Sequence, residues 1–129
     1  MDKTILVEQD LKNGERLIRK LDELNFIVHS AFWLYIPESD IYRLMIATPL
    51  VDEIGPQEVY RKIKSTIDLI EEPFDISLQS ISVISPNNEL IKILGTFTKT
   101  DANAINGIRF TRNTINNMYI EDSYIYRIQ

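Results

Sequence analysis

Between Phe32 and Pro56 the sequence FWLYIPESDIYRLMIATPLVDEIGP sets out several elements by its punctuation. Ala31, Trp33 and Tyr35 alternate with Phe32, Leu34 and Ile36. Both faces of a first strand, drawn from Phe26 to Ile36, are therefore largely apolar, which places it inside a sheet. Pro37-Glu38-Ser39-Asp40 reads as a four-residue turn. Closing a hairpin there sets Trp33 opposite Leu44 and Tyr35 opposite Tyr42, cross-strand pairs of the kind that stabilise an antiparallel ladder. The second strand runs from Ile41 to Thr48, where Pro49, with no N–H to donate, stops it. After a short loop, Gly55-Pro56 starts a helix with proline at its favoured first position.

The flanking segments follow the same logic. Val7, Leu11, Leu17, Ile18, Leu21 and Leu24 mark one face of a helix over Thr4 to Asn25. Gly14 lies inside it and should cost roughly 1 kcal/mol relative to alanine, so either it admits close packing on the sheet or the helix begins later. The helix from Pro56 is expected to reach Glu72, with Val59, Ile63, Ile67 and Ile70 toward the core and Pro73 ending it. Glu71 and Glu72 would then sit in its last turn, where the dipole prefers cations; they read as a solvated acidic pair or a surface for a basic partner. Residues 76–85 alternate apolar with small polar side chains and read as a third strand. Asn88 to Leu94 reads as a short helix capped by Ser85 or Asn87 and stopped by Gly95, and residues 96–107 as a surface loop. Ile108 to Ile128 reads as a hairpin turning at Asn116-Asn117. That register pairs Ile115 with Met118, Thr114 with Tyr119, Asn113 with Ile120 and Arg112 with Glu121, and it gives Tyr124, Tyr126 and Ile128 one face.

The expected fold is a single α+β domain over residues 1–129, with a mixed sheet of about five strands. It comprises two antiparallel hairpins and one parallel crossover, packed with two longer helices and one short helix. A right-handed crossover from the second strand through the Pro56 helix to the third would run those two strands parallel. Both would then end at one edge. Thr48 and Asp52 would lie beside one helix start there, and Ser85, Asn87 and Asn88 beside the other. Free amides at such a place hold anions, yet the same residue types also cap helices.

At 44% hydrophobic and 26% charged residues, the composition is that of a folded chain rather than a disordered one. There is no cysteine, which removes disulfides, thiolate metal sites and cysteine nucleophiles together. No apolar run approaches the roughly 20 residues of a membrane-crossing helix. Met1-Asp2-Lys3-Thr4 lacks the basic start and apolar core of a leader, so a cytoplasmic location without membrane attachment is expected. The net charge is −5, with 9 Lys or Arg against 16 Asp or Glu in residues 1–91 and 5 against 3 in residues 92–129. An acidic body disfavours nucleic acid as a partner, because that binding rests largely on Lys and Arg.

Motifs for chemistry are mostly missing. His29 is the one histidine, set in a strand among apolar neighbours, and reads as a packed or surface residue. No Gly-x-Ser-x-Gly elbow accompanies it. Gly14, Gly55, Gly95 and Gly107 are too scattered for a phosphate-binding loop, so no cofactor is expected. Carboxylates remain as metal ligands, in adjacent pairs at Asp52-Glu53, Glu71-Glu72 and Glu121-Asp122. The last pair shares its hairpin with Arg109 and Arg112, the minimum for metal-assisted phosphodiester cleavage. Neighbours on a strand face opposite ways, however, so both could ligate one ion only across a bulge. The preferred expectation is a protein-binding or regulatory module rather than an enzyme, acting on a protein partner or as a homodimer. Its surface would comprise Arg109, Arg112, Asn113, Tyr119, Glu121 and Asp122, since tyrosine and arginine dominate many interfaces.

Overall fold

A computed structural model describes residues 3–129. Met1 and Asp2, used above in the leader reading, lie outside the described residues. In chain order the elements are α1 (Glu8–Glu23), β1 (Ser30–Ile36), β2 (Ile41–Ala47), α2 (Leu50–Ile54), α3 (Pro56–Ile67), a 3₁₀ turn (Leu78–Ser80), β3 (Ile81–Ile84), α4 (Glu89–Phe97), β4 (Ile108–Ile115) and β5 (Met118–Arg127). The five strands form one sheet in the order β3-β2-β1-β5-β4. Only β2 and β3 are parallel; the other neighbours are antiparallel.

The sheet has helices on both faces. On one face α1 and α3 contribute Leu17, Ile18, Leu21, Val59 and Ile63, which pack on Ala31, Trp33, Leu44, Ile46 and Tyr126. On the other, Ile91 and Leu94 of α4 pack with Phe32, Met45, Phe110 and Ile125. Strand β1 lies at the centre, Trp33 facing one way and Phe32 the other, both with no exposed surface. This is why both of its sequence parities are apolar. Trp33 donates its indole N–H to Tyr126 Oη at 3.0 Å, and that hydroxyl donates to the Leu11 carbonyl at 2.6 Å. The pair thereby fastens α1 to the sheet.

Of the two explanations offered for Gly14, close packing on the sheet is the one that applies: the helix begins later than Thr4, but Gly14 still lies inside it. The helix begins at Glu8, where Asp10 Oδ2 accepts the Val7 N–H at 2.9 Å and Asp10 Oδ1 meets Lys3 Nζ at 2.7 Å. A Cβ on Gly14 would lie 2.3 Å from Tyr126 Oη. The first hairpin has the expected register, Trp33 opposite Leu44 and Tyr35 opposite Tyr42. β1 itself is shorter than expected, starting at Ser30.

Several boundaries differ. The loop after Pro49 contains a one-turn helix, α2, and Gly55 at φ 85° makes the break before α3. Helix α3 ends at Ile67, not Glu72, so Glu71 and Glu72 lie past its end and the expected clash with the dipole does not arise. Tertiary contacts draw that tail away. Arg16 of α1 donates to the Glu71 and Pro73 carbonyls, while Ile70 and Phe74 pack against the core. β3 is only four residues long, because Ser77 caps the 3₁₀ turn before it. Gly95 does not stop α4 but lies inside it, the helix continuing to Phe97, whose ring meets Phe110 edge-on at 4.4 Å.

The last hairpin turns at Asn116 and Asn117, both at positive φ, with Ile115 opposite Met118, Thr114 opposite Tyr119 and Asn113 opposite Ile120. Arg112, at φ 46°, forms no ladder pair with Glu121. Ile128 does not share the face of Tyr124 and Tyr126. It packs beside Phe32 on the opposite side, because the β1–β5 register slips between Ala31 and Phe32 and such a bulge reverses the side on which later residues emerge.

Candidate functional site

Of the residues expected to form a binding surface, the structure joins Arg109 and Asp122 directly. Arg109 and Asp122 lie on neighbouring strands, and two bonds of 2.6 Å run from Arg109 Nε and a terminal guanidinium nitrogen to the two carboxylate oxygens. Tyr42, from the far side of β1, adds a third: its hydroxyl donates to Asp122 Oδ2 at 2.6 Å. Burial pushes the Asp122 carboxyl up, but the bonds from Arg109 and Tyr42 together outweigh it and hold the group below the usual carboxylate range. Burial, followed by the bond to Asp122, raises the Tyr42 phenol to about 12. The Arg109 guanidinium is raised chiefly by its bond to Asp122.

Arg112 and Glu121 line the same shallow cleft of about 460 Å³ as this triad. Asn113 and Tyr119 lie farther along, toward the hairpin tip; Asn113 Oδ1 accepts the Thr114 N–H at 2.8 Å, and Tyr119 is 54% exposed. Asp122 is buried, whereas Arg109, Arg112, Asn113, Tyr119 and Glu121 are exposed. Metal-assisted cleavage would need both acidic neighbours. Here Asp122 has both oxygens engaged, which leaves Glu121 as the other carboxylate facing the cleft. Among the described residues no group of three or more His, Asp or Glu is placed to hold a metal ion.

The two outer edges of the sheet are unlike. On β3, the Tyr60 hydroxyl donates to the Ile81 carbonyl at 3.3 Å and accepts the Val83 N–H at 3.2 Å, and Arg43 donates to the same carbonyl at 3.2 Å. That edge is partly closed. On β4, alternation along the ladder turns the backbone of Ile108, Phe110, Arg112 and Thr114 outward. The Thr114 N–H is met by Asn113, but from Ile108 to Arg112 the outward groups form no hydrogen bond among the described residues.

The strand-to-helix junctions carry caps. Thr48 Oγ1 accepts the Leu50 N–H at 3.2 Å, Asn88 Oδ1 the Leu90 N–H at 2.9 Å and Ser85 Oγ the Asn87 N–H at 3.1 Å. Ser85 in turn donates to Asp52 Oδ2 at 2.7 Å, tying the two junctions together. Beside them opens a larger cleft of about 610 Å³. Its wall includes Arg127, 1% exposed, whose guanidinium donates to Asp22 at 2.8 and 3.1 Å and to the Ala104 and Val28 carbonyls. His29 stands at the rim, its Nδ1 2.9 Å from Ser30 Oγ. Burial, then the charge of Lys99, lowers its pKa. Sequence reasoning missed Tyr42 and Arg127, because each acts across strands or loops far away in the chain.

Compared with known proteins, the chain matches no family model, no curated protein and no solved structure. Among the described residues no helix is long and apolar enough to cross a membrane. The class is thus defined by architecture, a single α+β domain with a five-stranded mixed sheet.

Proposed function

We propose that the protein is a binding module that receives an extended acidic segment of a partner protein along the outer edge of β4. The observation that carries this reading is the difference between the two edges. β3 is four residues long and its outward Ile81 carbonyl and Val83 N–H meet Tyr60 and Arg43, whereas β4 is eight residues long and lies open from Ile108 to Arg112. An open edge is a template for another strand. β4 carries no acid, and its Arg112 is exposed and, unlike Arg109, not paired with Asp122, so an acidic segment complements it. A second copy of the chain would bring the same arginines together, which disfavours self-pairing unless Glu121 intervenes.

The test uses a synthetic eight-residue peptide alternating Glu with Val, and its Lys counterpart. The acidic peptide should shift the backbone amide NMR signals of β4, and Arg112→Glu should weaken its binding several-fold while leaving the circular dichroism spectrum unchanged. If both peptides act alike, or if Arg112→Glu binds as the wild type does, the reading fails. A wild type that sediments as a dimer, with β4 amides protected, would replace the partner segment with a second copy.

A further inference from the structure

The largest cleft described above, about 610 Å³, has the volume of a small-molecule site. It opens where the parallel strands β2 and β3 end side by side, the edge at which ligands of such sheets collect. It belongs to a different part of the sheet from the β4 edge and stands independently of that reading.

Its chemistry opposes an anion. The Leu50, Leu90 and Asn87 amides at the junctions are already bonded to Thr48, Asn88 and Ser85. The one cation in the lining, Arg127, is buried and has Nε and both terminal nitrogens engaged. Asp52 is the reverse case: exposed, with Oδ2 held by Ser85 and Oδ1 forming no hydrogen bond among the described residues. Asn87 and Asn103 also bring side-chain amides that form no hydrogen bond among the described residues, while Pro49, Pro86 and Ile27, the last 58% exposed, supply apolar wall. Burial and then the charge of Lys99 lower the pKa of His29, which disfavours its positive form beside a cationic ligand.

We propose that this cleft binds a small organic amine with an apolar body, Asp52 receiving the ammonium group and Pro49, Pro86 and Ile27 the body. The serine bond fixes the orientation of the Asp52 carboxylate before a ligand arrives, so one charge-assisted hydrogen bond forms without reorganising the site.

Phenethylamine is a suitable probe, with phenylpropionate as the anion of similar body and inorganic phosphate as the anion alone. Phenethylamine at millimolar concentration should shift the amide NMR signals of Asp52, Asn87 and Asn103 together. Asp52→Asn, which can still accept from Ser85, should weaken that binding at least tenfold, and Asn103→Trp, filling the cleft from an exposed loop, should abolish it. Shifts scattered over the acidic surface, undiminished binding in Asp52→Asn, or phosphate or phenylpropionate acting on the same signals would each overturn the proposal.

Discussion

Gly14 and Gly95 are both interior to helices, yet alanine should have opposite effects at the two. At Gly14 the added Cβ would stand 2.3 Å from Tyr126 Oη, a hydroxyl held between Trp33 and Leu11. The gain in helix propensity, roughly 1 kcal/mol, is offset by overpacking of about 1–3 kcal/mol and by disturbance of those two bonds. Gly14→Ala should therefore lower stability in urea denaturation. At Gly95 the nearest atoms are 3.6 Å and 3.9 Å away, ordinary contacts, so Gly95→Ala should raise stability by roughly 0.5–1 kcal/mol. A stabilised Gly14→Ala would mean that Tyr126 is not held as described.

Asp122 supplies a pH dependence at the same scale. Its folded pKa lies below the usual carboxylate value. Its contribution is therefore complete above the unfolded value, roughly pH 4, and disappears as pH falls through the lower folded value. Arg109 is 46% exposed on its side chain and screened by water, so Asp122→Asn should cost only about 1–2 kcal/mol at neutral pH. The gap between variant and wild type should close as pH falls below the ordinary carboxylate range. A gap that stays constant under acid would show that the carboxylate charge contributes nothing.

At the scale of elements, the edge strands decide what the sheet can meet. Tyr60→Phe removes the hydroxyl that bridges Ile81 and Val83. The loss should cost about 1 kcal/mol per bond and free the outward Val83 N–H, while Arg43 still meets the Ile81 carbonyl, so self-association measured by sedimentation should increase. Unchanged sedimentation with reduced stability would mean that the short β3 edge protects itself. Element boundaries were legible where backbone chemistry sets them: Pro49 ending β2, Gly55-Pro56 opening α3 and the Asn116-Asn117 turn. They were not legible where distant contacts intervene. The tail after Ile67 has helical periodicity, but Arg16 and the pocket for Ile70 and Phe74 draw it off the axis. Gly95 looks like a stop, yet packing of α4 on Phe110 and Ile125 carries the helix through it.

At the scale of the molecule, a five-stranded sheet with helices on both faces requires β1 to be apolar on both of its faces. That requirement is written in the alternation of Ala31 to Ile36 and could be read before any coordinates. The α+β class, the first hairpin and the Asn116-Asn117 turn follow from periodicity and turn residues, properties of neighbours in the chain, and the parallel return of β3 from the handedness of a crossover. What lay beyond reach was the strand order. Because β5 inserts between β1 and β4, and β2 flanks β1 on the other side, Tyr42 reaches Asp122 across β1 and completes the triad with Arg109. The same packing partly closes the β3 edge, leaves β4 open and buries Arg127 behind the larger cleft. Local sequence sets which segments are strands and helices, since propensity and hydrogen bonding act over a few residues. Which side chains meet is decided by the tertiary packing, since those contacts join residues as far apart as Asp22 and Arg127 and depend on every element between them.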